Sequence, residues 1–429
     1  MLGLAAAVAG AQAPDVSADQ GRRARLAPTG RIAVEASASA QRGVREAAAA
    51  FDNQTNGLVA QGPPMSFITR RTVRPTRSFN DARFLYEEVA QLGDGLGPTY
   101  NAQSCRECHQ NVVTGGASQI AEHRTGHLLD GQFFESLGGS LVHSRSTHPD
   151  MAELVAVEDD IRTFRISTNT LGAGFIEAIA NDTILAIRDA QPAHMRGTAV
   201  SVPVLEAGGA ARIGRFGWKN QHASLLSFAA DALLNELGLT SPLFPDENTS
   251  AGRPVQAYDP VPDPEDNGAI ARGLALFMRA TKAPPRGALT PETGAGEAIF
   301  QRIGCSTCHV PSLVTAPPGT AVNGGTFTVP DALGSRRIHP YSDFLSHDIG
   351  TGDGIPVLPT PEYAETAARM RTAPLWALRT RNRLMHDGLS FTLEEAIDRH
   401  RGQAEEVRQQ YLALSGADRA LLLAFLRSL

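Results

Sequence analysis

Every cysteine of the chain lies in one of two copies of a five-residue motif. The copies read Cys105-Arg-Glu-Cys108-His109 and Cys305-Ser-Thr-Cys308-His309. Two thiols separated by two residues can add to the two vinyl groups of one porphyrin, and the histidine that follows is then held beneath the iron. The motifs therefore predict two covalently bound c-type haems. The predicted attachment residues are Cys105, Cys108, Cys305 and Cys308, and the predicted iron ligands are His109 and His309.

Pairs of cysteines two residues apart also occur in structural zinc sites and in thiol–disulfide redox proteins. A shared zinc site is disfavoured because the two pairs are about 200 residues apart, far beyond zinc-ribbon spacing. A redox role is disfavoured because neither pair has a βαβ pattern around it. Covalent haem also accounts for the histidine in each copy, so it is the favoured interpretation.

The length and the two motifs predict two haem domains. A chain of 429 residues exceeds what one hydrophobic core normally supports. Residues 259–266 are rich in proline and acidic residues, which predicts a linker. The predicted divisions are a signal-like, flexible leader at 1–40, an N-terminal haem domain at 41–258, the linker at 259–266 and a C-terminal haem domain at 267–429.

Helical spacing of apolar residues dominates the chain, and few segments alternate as strands do. Predicted helices include 44–51, 81–91, 174–188, 223–237 and 295–303. A capping box at Thr392 and Glu395 predicts a further helix start, and Ser415 with Asp418 predicts the start of the last helix. The predicted fold class is mainly α, with two cytochrome c-like haem domains, long loops and little β structure.

The charge and the first residues bear on location and partners. A net charge of −6 and a pI near 6.1 argue against a nucleic-acid surface. No apolar stretch after the first residues is long enough to cross a bilayer. Residues 1–13 are apolar and end in Ala-x-Ala like a secretory signal, although they lack a basic start and an ordinary alanine-rich segment is the alternative. We expect a periplasmic or otherwise exported protein.

His400 lies on the apolar face of the helix that the capping box begins. Leu393, Ala396, Ile397 and His400 fall at positions i, i+3, i+4 and i+7. On periodicity alone, a histidine hydrogen-bonded in the core is the favoured interpretation, and an iron ligand is the alternative.

Several segments resemble the bacterial di-haem oxidoreductase family. They are residues 95–109, Tyr341-Ser-Asp-Phe-Leu-Ser-His347-Asp, Arg371-Thr-Ala-Pro-Leu-Trp-Ala-Leu378, Met385-His-Asp-Gly388 and the stretch from Thr392 to His400. That family is similar to di-haem cytochrome c peroxidases and to latex-cleaving di-haem oxygenases. The resemblance implies that His400 is the second axial ligand of the C-terminal haem. An iron held by two histidines suits electron storage rather than substrate binding.

The resemblance also implies that the N-terminal haem iron is open to peroxide or oxygen. Peroxide cleavage needs an acid or base within hydrogen-bond reach. Glu177 is the candidate, and a solvated glutamate on a helix face is the alternative. The peroxidases carry their distal glutamate in the segment that matches Ser224-Leu-Leu-Ser-Phe228, where this chain has no acid.

Two further expectations concern electron transfer between the haems and the need for calcium. Trp218, in Arg215-Phe-Gly-Trp218, is the candidate for carrying an electron between the haems, and plain packing is the alternative. The calcium pattern of the peroxidases is replaced by Arg381-Asn-Arg383, so no required calcium is predicted.

The predicted function is that of an exported, peroxidase-like di-haem c-type oxidoreductase. Electrons are expected to pass from the C-terminal haem to an open N-terminal haem that reduces peroxide. The expected partner is a small electron donor, either a cytochrome c or a cupredoxin, and no nucleic acid or membrane span is expected. The alternatives are a di-haem oxygenase or substrate-oxidising enzyme, and a di-haem cytochrome that only transfers electrons.

Overall fold

The computed structural model describes residues 43–63, 76–357 and 361–429, so the predicted leader and signal at 1–40 lie outside the described residues. None of the helices it describes is long and apolar enough to cross a lipid bilayer. The helices are α1 (Phe79–Glu87), α2 (Cys105–Cys108), α3 (Ala173–Glu177), α4 (Asn181–Ala190), α5 (Leu225–Ala232), α6 (Ala269–Ala280), α7 (Pro291–Arg302), α8 (Leu393–Asp398), α9 (Glu405–Leu412) and α10 (Gly416–Leu426).

Most of the described strands are four residues long or shorter. They are β1 (Arg45–Glu46), β2 (Thr99–Tyr100), β3 (Ala121–Leu129), β4 (Gln132–Glu135), β5 (Leu141–Val142), β6 (Arg145–Ser146), β7 (Ile161–Ile166), β8 (Ser201–Val204), β9 (Ala210–Ile213), β10 (Leu313–Val314), β11 (Ala321–Val322), β12 (Phe327–Thr328), β13 (Arg336–Ile338), β14 (Ser346–His347) and β15 (Met370–Arg371).

Side-chain caps begin the helices at the two positions that the sequence marks. The Thr392 hydroxyl accepts a hydrogen bond from the Glu395 N–H at 3.0 Å, and the Glu395 carboxylate accepts one from the Thr392 N–H at 3.2 Å. The Ser415 hydroxyl accepts one from the Asp418 N–H at 3.1 Å. Both predicted helix starts, of α8 and α10, are therefore confirmed.

The helix before each motif packs against a helix that comes later in the chain. Helix α1 packs against α6, where the Tyr86 ring lies 4.6 Å from that of Phe277. Helix α7 packs against α10, where the Phe300 ring lies 5.2 Å from that of Phe425. Because α1 precedes the first motif and α7 precedes the second, the same helix-pair arrangement accompanies both motifs.

Helix α6 follows the predicted linker yet packs against α1 and α5, which precede the linker. The Asp266 carboxylate accepts hydrogen bonds from the N–H groups of Gly268, Ile270 and Ala271 at 2.9–3.0 Å, so the end of the stretch 259–266 caps α6. The packing therefore places α6 with the first motif rather than with the second. The division into two haem domains stays a prediction.

β structure is more extensive than predicted. Strand β3 pairs with β7 along one edge and with β4 and β5 along the other, which makes a four-stranded antiparallel sheet. Asp130 and Gly131 connect β3 to β4 with φ of 52° and 79°, as a two-residue hairpin turn requires. The predicted helix at 44–51 is also wrong, because Arg45–Glu46 pair with β13, and this distant pairing outweighs a weak local preference.

Apolar side chains form two main clusters. The larger one joins α1, α5 and α6 with buried residues from the second half of the chain, among them Leu333, Phe344 and Trp376. The smaller one is built by α7, α8 and α10 around the second motif. The two clusters support the walls of the two motif sites.

Candidate haem sites

Each motif opens onto a cavity of its own. The residues of the first motif line one cavity, here the first cavity, and those of the second motif line another, the second cavity. Space free of protein atoms, including the part open to solvent, is about 1050 Å³ in the first and about 1340 Å³ in the second. Both cysteines and the histidine of each motif line its cavity, so a group attached to the cysteines would lie in that cavity.

A backbone carbonyl orients each motif histidine. Nδ1 of His109 lies 3.3 Å from the carbonyl oxygen of Gly116, and Nδ1 of His309 lies 3.0 Å from that of Tyr341. A carbonyl oxygen only accepts, so Nδ1 donates and Nε2 keeps the lone pair that a metal requires. Burial lowers the pKa of both histidines to about 4, which leaves the imidazoles neutral at neutral pH.

His400 faces His309 across the second cavity. Its Nδ1 donates to the carbonyl oxygen of Ala396 at 2.7 Å, and its ring centroid lies 6.4 Å from that of His309. Two imidazoles that each bind one metal ion at about 2 Å have ring centroids about 6 Å apart. The spacing is compatible with two ligands of one metal ion, and the assignment of His400 as an iron ligand stays a prediction.

The first cavity has no such pair. Among the described residues that line it, His109 is the only histidine and Met278, on α6, is the only methionine. The cavity instead carries charged side chains, namely Glu122, Arg124, Arg165, Asp231 and Glu236. A haem iron bound by His109 would have no second imidazole opposite it in this cavity.

Arg165 gives a test of whether the first cavity suits a porphyrin. Its Nε donates to the Asp353 carboxylate at 2.7 Å, whereas its Nη2 is buried and has no hydrogen-bond partner among the described residues. A buried N–H without an acceptor is costly, and a carboxylate brought into the cavity would satisfy it. The propionates of a haem are such carboxylates, so the residues present fit the group.

The first cavity also contains a pair of carboxyl groups, Glu122 and Glu236. Neither was predicted from the sequence. Glu236 lies in the π-helical turn Leu233–Leu237 that follows α5, and its carboxyl group interacts with that of Glu122 on β3. Burial, together with the charge of Glu122, raises the pKa of Glu236 to about 8. Burial alone would raise the pKa of the half-buried Glu122, but the charge and the hydrogen bond of Arg124, at 2.7 Å, lower it. At neutral pH Glu236 therefore holds a proton beside an ionised Glu122.

Trp218 lines both cavities. It is 8% exposed, its Nε1 donates to the carbonyl oxygen of Ile166 at 2.7 Å, and its ring meets that of His386 edge-on. The structure is therefore compatible with both interpretations of Trp218, ordinary packing and a role between the two sites.

The predicted catalytic role of Glu177 is not supported by its position. Glu177 lines neither motif cavity and is fully buried. Its carboxylate accepts hydrogen bonds from Arg279 Nε at 2.6 Å and Nη2 at 2.9 Å, and from Leu225 N and Asn323 Nδ2 at 2.8 Å each. Burial alone would raise its pKa, but these partners lower it. A carboxylate held this way ties α3 to α5 and α6.

Replacing Glu177 with glutamine is expected to destabilise the fold without a direct effect on the reaction. Arg279 would be left largely buried without its counter-charge, and loss of one partner of a buried ion pair costs about 3–5 kcal/mol. The free energy of unfolding from urea titration checks this. Asp418→Asn, which removes an exposed pair with Arg302, should change little. A Glu177→Gln protein of wild-type stability that has lost turnover would restore the catalytic interpretation.

Four carboxylates lie close together away from both cavities, at Glu247, Asp259, Asp263 and Glu265, with oxygens within 4.8 Å of one another. Burial and the charges of the other three raise the pKa of Glu247 to about 8, so a proton on Glu247 reduces the repulsion. The prediction that no calcium is required stays a prediction.

The chain matches the model of one protein family, described as "Di-haem oxidoreductase, putative peroxidase", over residues 139–429. The second motif, Trp218, Glu236 and His400 fall inside the matched range, and the first motif precedes it. No curated protein matches the chain.

Solved structures show distant likeness. A hydrazine synthase of Kuenenia stuttgartiensis is 14% identical, with 97% of this chain and 100% of that chain covered and a TM-score of 0.37. The diheme peroxidase BthA of Burkholderia thailandensis E264 is 14% identical, with 90% and 94% covered and a TM-score of 0.37. A MauG-like protein associated with microbial copper homeostasis is 20% identical, with 38% and 57% covered and a TM-score of 0.26.

Proposed function

The chain belongs to the di-haem oxidoreductase family, and from this premise we propose that it is a peroxidase-like enzyme with two covalently attached haems c. Cys105 and Cys108 attach one haem, with His109 as its only protein ligand among the described residues. Cys305 and Cys308 attach the other, between His309 and His400. We place the reduction of peroxide at the first of these sites and the storage of electrons at the second.

The observation that carries the proposal is the difference between the two cavities. The second holds two facing imidazoles and is lined mainly by apolar side chains. The first holds one imidazole and a pair of carboxyl groups that includes a proton at neutral pH. A saturated iron suits electron transfer, and an open iron beside a proton donor suits reaction with a small oxidant.

Glu236 is the proposed proton donor for the reduction of peroxide. Reduction of hydrogen peroxide takes up two electrons and two protons, breaks the O–O bond and releases two water molecules. Haem iron, when bound in the first cavity, supplies the electrons to the peroxide. Glu236 supplies one proton to the departing oxygen, and the ionised Glu122 next to it takes up a proton from solvent and passes it to Glu236. The second proton of the reaction comes from solvent through the same pair. Arg124 holds Glu122 in place throughout.

Trp218 is the side chain through which the two sites exchange electrons in this proposal. Its support is that the indole lines both cavities and is fixed by its bond to Ile166. The electrons come from a small donor protein, a cytochrome c or a cupredoxin. Covalent attachment of haem c and a donor of this kind both support an exported, periplasmic location.

A steady-state assay of the purified holoprotein tests the proposed function. Oxidation of a reduced small cytochrome c, and of a reduced dye as a donor that needs no docking surface, should be accelerated at least about tenfold by hydrogen peroxide over the rate in air. No acceleration with either donor, with oxygen uptake on an organic substrate instead, would favour the oxygenase alternative. No acceleration and no oxygen uptake would favour a cytochrome that only transfers electrons.

A further inference from the structure

A third, small cavity shares its walls with both haem cavities. Gly217, Phe228 and Met278 line it together with the first cavity, and Arg371 and Arg381 line it together with the second. Arg371 and Arg381 therefore lie where the third cavity meets the second.

Neither of these arginines has a carboxylate partner among the described residues. Nε and Nη2 of Arg381 are buried and have no hydrogen-bond partner there. Arg371 is 6% exposed, and its Nε donates to the carbonyl oxygen of Gly217 at 2.7 Å. The acidic group that acts on Arg371 is Asp343, whose carboxylate is already bonded to His347 and Gln191.

The guanidinium groups of Arg371 and Arg381 are poorly solvated, so a bound anion would stabilise them. Burial lowers the pKa of each to about 10, and the charge of Arg381 contributes to the shift of Arg371, yet both stay protonated at neutral pH. A buried cation without a counter-charge is unfavourable, and Arg binds carboxylates through paired N–H groups. The unused donors of Arg381 therefore point to a carboxylate that the protein itself does not provide.

We propose that Arg381, with Arg371 beside it, binds the propionate carboxylates of the haem in the second cavity and thereby sets the reduction potential of that haem. The inference rests on the proposed attachment of a haem at Cys305 and Cys308. A haem in the second cavity brings two carboxylates into the space that Arg381 lines. The paired guanidinium charge offsets the propionate charge, which otherwise favours the oxidised iron.

Arg381→Gln is the principal test. The haem content of the variant is counted first from the pyridine haemochrome spectrum, and the two midpoint potentials are then measured by spectroelectrochemical titration. The potential of the His309 haem should fall by about 59 mV or more, which is a tenfold shift of the one-electron equilibrium toward the oxidised form. Arg381→Lys keeps the charge and should retain most of the wild-type potential.

Arg383→Gln is the matched control. Arg383 is two residues away, carries the same charge, and its guanidinium donates to the carbonyl oxygens of Gly388 and Gln119 outside the haem cavities. Its removal should leave both potentials near those of the wild type.

Several results would overturn the proposal. One is an Arg381→Gln protein with two haems and the potentials of the Arg383→Gln control. Another is loss of the second haem from both Arg381 variants, since the retained charge of lysine should keep it. A wild-type potential that shifts with added acetate would show that a free carboxylate occupies the site. A two-haem wild-type protein without peroxide turnover would contradict the proposed function while leaving this test intact.

Discussion

Replacing Glu236 with glutamine is expected to lower kcat/KM for hydrogen peroxide by about 100-fold or more. Glutamine keeps the size and one hydrogen bond of the side chain but cannot give up a proton, and a positioned general acid typically contributes about 10²–10⁴-fold. Steady-state and stopped-flow kinetics on the holoprotein measure the effect. Glu247→Gln is the control, because Glu247 also has a pKa raised to about 8 but lines neither haem cavity.

The pH profile gives this prediction a second readout. The proton of Glu236 is bound below its pKa of about 8, so kcat/KM should be level near neutral pH and fall about tenfold per pH unit above 8. The alkaline decline should be absent from Glu236→Gln. Glu122→Gln removes the neighbouring negative charge, which lowers the pKa of Glu236, so the decline should move to lower pH. A Glu236→Gln enzyme with wild-type rates and an unchanged alkaline limb would exclude Glu236 as the acid.

Replacing His400 with alanine is expected to convert the second haem from low spin to high spin. In the proposed assignment the facing imidazoles of His309 and His400 are two strong ligands of one iron, so removal of one would leave an open position. The number of haems per chain that bind cyanide or carbon monoxide should rise from one to two. Electron paramagnetic resonance and absorption spectra of the oxidised protein check both outcomes.

His386→Ala is the matched control for the His400 variant. His386 also lines the second cavity and is buried, but its ring packs edge-on against Trp218 rather than facing His309. Its removal should leave the low-spin signal in place. A low-spin signal that persists in His400→Ala would reject His400 as an axial ligand, and loss of that signal in His386→Ala instead would transfer the role to His386.

The parts of the molecule that depend on local sequence were predictable. The two motifs, the capping box at Thr392 and the position of His400 on an apolar helix face all follow from residues close together in the chain. The Asp130-Gly131 turn is an equally local signal for a hairpin, but β3 carries polar residues on both faces and therefore lacks the alternation that predicts a strand.

The acid pair could not be found in the same way. Glu122 and Glu236 are more than a hundred residues apart, and only the tertiary fold brings their side chains together. Residues 224–228, at the start of α5, contain no acid, so there was no reason from the sequence to expect a catalytic acid in this helix. Glu236 lies in the π-helical turn that continues α5. The position of Glu177 depends on the same kind of contact, because its partner Arg279 lies in α6, 102 residues further along the chain.

The electron paramagnetic resonance spectrum of the oxidised holoprotein as isolated, recorded with a haem count, tests the central claim most directly. With two haems per chain, the account predicts one high-spin signal, from the iron bound by His109, and one low-spin signal, from the iron between His309 and His400. Two low-spin signals with no binding of cyanide or carbon monoxide, or a protein that contains no covalently attached haem, would contradict it.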